Sequence, residues 1–134
     1  MELIERITSN GQPLCYIVRA ELNPNETTFL TPKTFSLQVG FVVYNSGGEI
    51  ARHVHKPIER RIVGTSEVLL VRKGHCQIDI YNDERELIAT RDLRQGDIMI
   101  MVGGGHGFRM LEETVFLEIK QGPYPGMEAE KEKF

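Results

Sequence analysis

His53 and His55 flank a single valine in the stretch Arg52-His53-Val54-His55. In a β-strand successive side chains point to opposite faces, so residues two apart share a face. On a strand these two imidazoles converge on one metal ion. On a helix the same spacing splays them, and a spacing of four is needed instead. Two further residues complete a donor set. His106 follows the triplet Gly103-Gly104-Gly105, and Glu67 opens the apolar run Glu67-Val68-Leu69-Leu70-Val71. A carboxylate on a buried strand face is costly unless it is paired or bound to a metal. Three imidazoles and one carboxylate suit a divalent transition metal with open coordination positions, such as Fe, Mn, Ni or Zn, and the donors do not choose among these.

That chemistry requires strands, and the chain supplies their pattern. β-Branched and aromatic residues recur in short runs separated by turn signals, the signature of an all-β sandwich or barrel. Leu14-Cys15-Tyr16-Ile17-Val18 reads as a first strand and Val39 to Tyr44 as another, ended by Asn45-Ser46-Gly47-Gly48. Glu49 to His55 reads as a short strand stopped by Pro57, which places the histidine pair in strand context. Glu67 to Val71 follows. His75 to Tyr81 alternates, with Cys76, Ile78 and Ile80 on one face and His75, Gln77, Asp79 and Tyr81 on the other. Leu87 to Asp92, Ile98 to Val102 and Thr114 to Lys120 complete the strands, with Asn82 to Arg85 and Gly96-Asp97 as turns. In the last strand Val115, Leu117 and Ile119 share one face and Phe116, Glu118 and Lys120 the other. The charged tail from residue 126 to 134 is expected to be a solvated end, a short helix being the alternative.

Composition narrows the class. The chain has 134 residues, the size of one domain, and no internal repeat. A net charge of -3 and a pI near 5.8 give no electrostatic footprint for nucleic acid. No long apolar run is present, so no membrane span is expected, and Met1 to Arg6 lacks the apolar core of a signal peptide. Cys15 and Cys76 lie far apart in apolar alternating stretches and read as two buried free thiols in a reducing cytoplasm. The glycine triplet lacks the following Lys-Ser/Thr and helix of a phosphate loop. His75, beside a turn, is expected to be exposed. Met99, Met101 and Phe108 read as core packing.

The spacing of these residues resembles the cupin superfamily. Its first motif runs Gly, five residues, His-x-His, a short spacer, Glu, six residues, Gly. Gly47 stands six positions before His53, and Glu67 stands seven before Gly74. The second motif resembles Gly96-Asp97, the apolar run, and Gly103-Gly104-Gly105-His106. The likeness covers about residues 39–120. Three departures stand out: the His55-to-Glu67 spacer is eleven residues, Val102 stands near the place of the family proline, and His106 is ten residues after Gly96, one short of the usual spacing. Met110 replaces an asparagine often found after the last histidine. Glu59 fits the short spacer, but Ser66 and Arg60-Arg61 follow it where a glycine and an apolar strand are needed, so Glu67 is preferred as ligand. His53-Val54-His55-Lys56-Pro57, Gly104-Gly105-His106-Gly107-Phe108 and Lys120-Gln121-Gly122-Pro123-Tyr124 look like a group of small cupins found among bacterial surface-polysaccharide genes.

The resemblance implies a single cupin domain over 1–134, a double-stranded β-helix (jelly-roll barrel) with its core at about 14–122. It implies metal ligation by His53, His55, Glu67 and His106. The expected function is a metal-dependent enzyme acting on a small polar, sugar-related metabolite by isomerisation or epimerisation, with Glu59 or Lys120 as candidates to move protons. An iron-dependent dioxygenase, a non-catalytic metal- and ligand-binding sensor module and a storage barrel stabilised by its metal are the alternatives. Arg60, Arg61, Arg109 and Lys120 are candidate partners for an anionic ligand. Apolar alternating strands in a small barrel favour edge pairing between subunits, so a homodimer is expected.

Overall fold

The computed structural model describes residues 2–134. The chain is all-β with antiparallel ladders and divides into two compact units, Met1–Leu22 with Thr65–Phe134, and Asn23–Gly64. No helix among the described residues is long and apolar enough to cross a membrane.

The first unit contains two sheets. Strands β1 (Ile4–Ser9), β2 (Gln12–Val18), β5 (Glu67–Lys73), β8 (Ile98–Met101) and β10 (Val115–Lys120) form a five-stranded sheet in the order β1-β2-β8-β5-β10. Strands β6 (His75–Tyr81), β7 (Leu87–Arg94) and β9 (Gly105–Met110) form a three-stranded sheet in the order β7-β6-β9. The alternation read in the sequence at β6 is realised: Cys76, Ile78 and Ile80 are fully buried. They meet Leu14, Cys15, Ile17, Leu69, Val71, Met99 and Met101 from the larger sheet in one core. The period of two thus fixes which face of each strand is removed from water. Cys15 and Cys76 are buried free thiols, and burial pushes Cys15 up to about 12.

Several elements differ from the sequence reading. Strand β1 was not expected, yet Asn10 (φ 50°) and Gly11 (φ 79°) form the two-residue turn that joins it to β2. Asn-Gly is the preferred pair for a turn needing two left-handed residues. Strand β9 was also unexpected, because its glycines have low strand propensity. It forms because it lies alongside β6 in continuous register from Cys76↔Met110 to Tyr81↔Gly105. In β10 only Phe116 and Lys120 are partly buried, whereas Leu117, Glu118 and Ile119 are exposed. Buried Asp97 holds the turn into β8 by accepting hydrogen bonds from the Ala20 and Arg94 amides at 2.9 and 2.8 Å and from Arg19 at 3.1 Å.

In the second unit only Thr28–Phe29 (β3) and Gly40–Phe41 (β4) pair as strands. Thr31 is buried there and accepts the Val39 amide at 3.0 Å. The expected strand over Glu49–His55 is not formed: residues 50–63 are exposed coil. Alternation and β-branching favour a strand only when a neighbouring strand completes its hydrogen bonds. None does here, and Pro57 lacks an amide donor. The tail is exposed as expected apart from Gly126 and Glu130; within it Met127–Glu130 forms one helical turn (α1), and Glu132 and Phe134 touch Arg85 and Tyr81.

Candidate functional site

Glu67 is the first residue of β5 and faces Met101 on β8 and Lys120 on β10 across the two ladders. Alternation places it on the same face as Leu69 and Val71, so its carboxylate enters the end of the core. It is 7% exposed. A carboxylate there needs a partner, and it has one: Glu67 Oε1 lies 2.7 Å from His106 Nε2. His106 stands on β9 opposite Ile80 of β6, so this contact joins the two sheets at one end of the core. Arg60 and Arg61, candidates for an anionic ligand, are exposed on the coil of the second unit.

The glycine triplet explains how His106 arrives there. Gly104 has φ +63°, and a Cβ on it would stand 2.1 Å from the Tyr81 carbonyl oxygen. A Cβ on Gly103 would lie 2.7 Å from the Pro13 carbonyl. The chain passes between two backbones that leave no room for a side chain, then enters β9 in register. Phe108 packs edge-on against His106 with ring centroids 5.7 Å apart, and Phe116 lies 5.0 Å beyond. The imidazole therefore has an apolar wall on one side and a carboxylate on the other.

Glu118 adds a second carboxyl that the sequence reading did not assign to the site. It shares a hydrogen bond with Glu67. The His106 bond holds the Glu67 carboxyl below the usual carboxylate range, whereas the bond to Glu67, and then burial, push Glu118 above it. By alternation Glu118 shares a face with Phe116 and Lys120, but its side chain is 40% exposed. Lys120 bonds Glu130 at 2.8 Å, stands 3.9 Å from Glu118 and lies over the Tyr124 ring at 4.9 Å. Its bond to Glu130 raises the ammonium's pKa.

His53 and His55 form a separate pair on the exposed coil of the second unit. Their rings approach edge to face with centroids 5.3 Å apart. His53 Nδ1 lies 2.7 Å from the Ala51 carbonyl oxygen, which can only accept, so Nδ1 carries the proton. Nε2 is then the unprotonated atom of the neutral ring, the arrangement used by metal-binding histidines. Glu59 is exposed on the same coil. Among the described residues, no three His, Cys, Asp or Glu side chains converge as a metal-binding group.

The remaining expectations resolve on the outer face of the small sheet. His75 is not exposed as expected: its side chain is 14% exposed and Nε2 lies 3.4 Å from Asp92. Arg109 is engaged by Asp79 and Gln77 of β6, which occupies it within the sheet. Met99 and Met101 are core residues. Comparison of the chain with models of known protein families, with curated proteins and with solved structures returned no match.

Proposed function

We propose that the chain is a cupin whose two sheets belong to a jelly-roll barrel, and that it is a metal-dependent enzyme acting on a small polar, sugar-related metabolite. The observation that carries the reading is the Glu67–His106 contact. An ionised carboxylate and an imidazole nitrogen stand 2.7 Å apart at the end of a core. Two ligands each about 2.0–2.2 Å from one ion stand about 2.8–3.1 Å apart at octahedral angles and about 3.3–3.6 Å apart at tetrahedral ones. The pair therefore fits a shared metal with little movement. His53 and His55, the first with its Nε2 left free by the Ala51 bond, are the other proposed ligands, as the His-x-His spacing implies.

A bound divalent ion would supply Lewis-acid polarisation of a substrate hydroxyl or carbonyl. The chain's own residues do the rest. Glu118, whose carboxyl is pushed above its usual range by the bond to Glu67, stands beside it. Lys120, kept positive by Glu130, suits binding of an anionic or hydroxyl group better than proton abstraction. Phe108 and Phe116 exclude water from one side of His106. This combination suits proton transfer next to a carbonyl, as in isomerisation or epimerisation. Two buried free thiols agree with a cytoplasmic setting. The open edge of β10, with Val115, Leu117 and Ile119 about half exposed, supports pairing of two copies.

The test is solvent-deuterium incorporation into a panel of aldoses, ketoses and their phosphates, followed by NMR. Incorporation should occur with metal-loaded protein, stop after chelation and return on adding metal back. Incorporation that persists in fully stripped protein would contradict the reading.

A further inference from the structure

The C-terminal segment makes contacts on both sides of the Glu67–His106 pair. At its near end Glu130, with a side chain only 5% exposed, bonds Lys120 at 2.8 Å, and Lys120 is the ladder partner of Glu67. At its far end the Phe134 ring meets Tyr81 edge-on at 5.1 Å. Tyr81 is the ladder partner of Gly105, the residue before His106. A Cβ on Gly105 would stand 3.1 Å from two Phe134 ring carbons, so this glycine makes room for the ring. Between the two ends Glu132 bonds Arg85 at 3.0 Å, and the Arg85 guanidinium lies 5.2 Å from the Phe134 ring centre. Four residues of extended chain reach at most about 14 Å, so the link from Glu130 to Phe134 is short. The five residues from Glu130 to Phe134 thus connect the strand beside Glu67 to the strand beside His106.

We propose that residues 127–134 form a strap over the Glu67–His106 end of the core, and that its release controls entry of small molecules to His106. The strap is built to open. Glu132, Arg85 and Phe134 are largely exposed, and exposed ion pairs and single aromatic contacts are individually weak. It is tied at one end by a part-buried bond and at the other by exposed, peelable contacts, so the far end lifts first. Lys131 lies close enough to influence Glu67 and Glu118 by charge, so the closed strap also brings a cation to the acidic end of the site. This role presupposes that the Glu67–His106 pair is the functional centre, but it does not depend on a metal.

The probe is diethyl pyrocarbonate, which acylates accessible imidazoles, applied to the protein and read residue by residue by mass spectrometry. Replacing both Glu132 and Phe134 by alanine removes the far anchor without touching Glu67, Glu118, Lys120 or His106. His106 modification should accelerate about tenfold, the size expected for losing one aromatic pair and one exposed ion pair. The exposed His53 and His55 should react unchanged and serve as internal references. An unchanged rate at His106 would overturn the strap. Should the double variant fail to fold, Arg85→Ala weakens the same anchor and should accelerate His106 modification by a smaller factor; no acceleration there overturns the proposal equally. Amide exchange of the unaltered protein gives a second reading: residues 127–134 should open faster than β6, and exchange as slow as that of β6 would make the segment part of the core rather than a strap. Acceleration in a protein that binds no Zn²⁺ would leave the strap standing and remove the metal reading.

Discussion

His106→Ala is expected to lower Zn²⁺ or Co²⁺ affinity by more than about 100-fold, since losing even a group that only orients a metal ligand costs about 10–100-fold. It is also expected to lower stability by about 1–3 kcal/mol, the cost of leaving a buried polar group without its partner. Both effects come from one contact. Glu67 is 7% exposed, and the His106 imidazole satisfies one of its oxygens at 2.7 Å. Without the ring, Glu67 keeps its bond to Glu118 but loses the partner that stabilises its charge. His106→Gln separates the two consequences. A glutamine amide can donate to Glu67 and should recover most of the stability, but it is a poor metal ligand and should not recover the affinity. Calorimetric titration with Zn²⁺ and urea denaturation of both variants check this. A His106→Ala protein as stable as the parent would show that the contact is not the structural tie between the sheets described above.

Gly104→Ala is expected to destabilise the protein by about 3 kcal/mol or more, because a left-handed residue gains strain and a backbone clash is added. The added Cβ would stand 2.1 Å from the Tyr81 carbonyl and 2.9 Å from Leu14 Cδ2, at φ +63°. A carbonyl held in a ladder cannot move aside as a flexible side chain can. Relief therefore comes from shifting β9, which carries His106, and site geometry should fail together with stability. Gly107 is the control. It lies on the same strand at ordinary φ, and a Cβ there meets nothing within 4 Å, so Gly107→Ala should change stability by only about 0.5 kcal/mol. Urea midpoints of the two variants measure the contrast, and equal midpoints would mean that β9 does not run where it is described.

How much was legible in the sequence depends on whether the signal was local. β6 was read residue for residue because its alternation is uninterrupted, and burial of Cys76, Ile78 and Ile80 follows from that alone. β1 was missed although Asn10-Gly11 announces the hairpin. Its strand is polar and exposed at alternate positions, and it depends on β2 for its ladder. β9 was hidden because its two glycines and a histidine carry little strand propensity; its pairing with β6 is a tertiary effect. The same reason works in reverse at Glu49–His55, which alternates like a strand yet remains coil because no neighbour completes its ladder. At the site, Glu67 and His106 were named from spacing and the structure places them in contact. Glu118 and the strap were missed because their roles depend on register between β5 and β10 and on the return path of the tail. Neither is written in any local pattern.

The most direct measurement of the central claim is elemental analysis of the protein purified from metal-supplemented medium, alongside His53→Ala and His106→Ala prepared identically. The account predicts a single divalent transition-metal ion per chain in the parent and loss of that ion from each variant. A parent protein that retains no ion, or a His53→Ala or His106→Ala protein that retains it at full occupancy, would contradict the assignment of these four ligands to one metal.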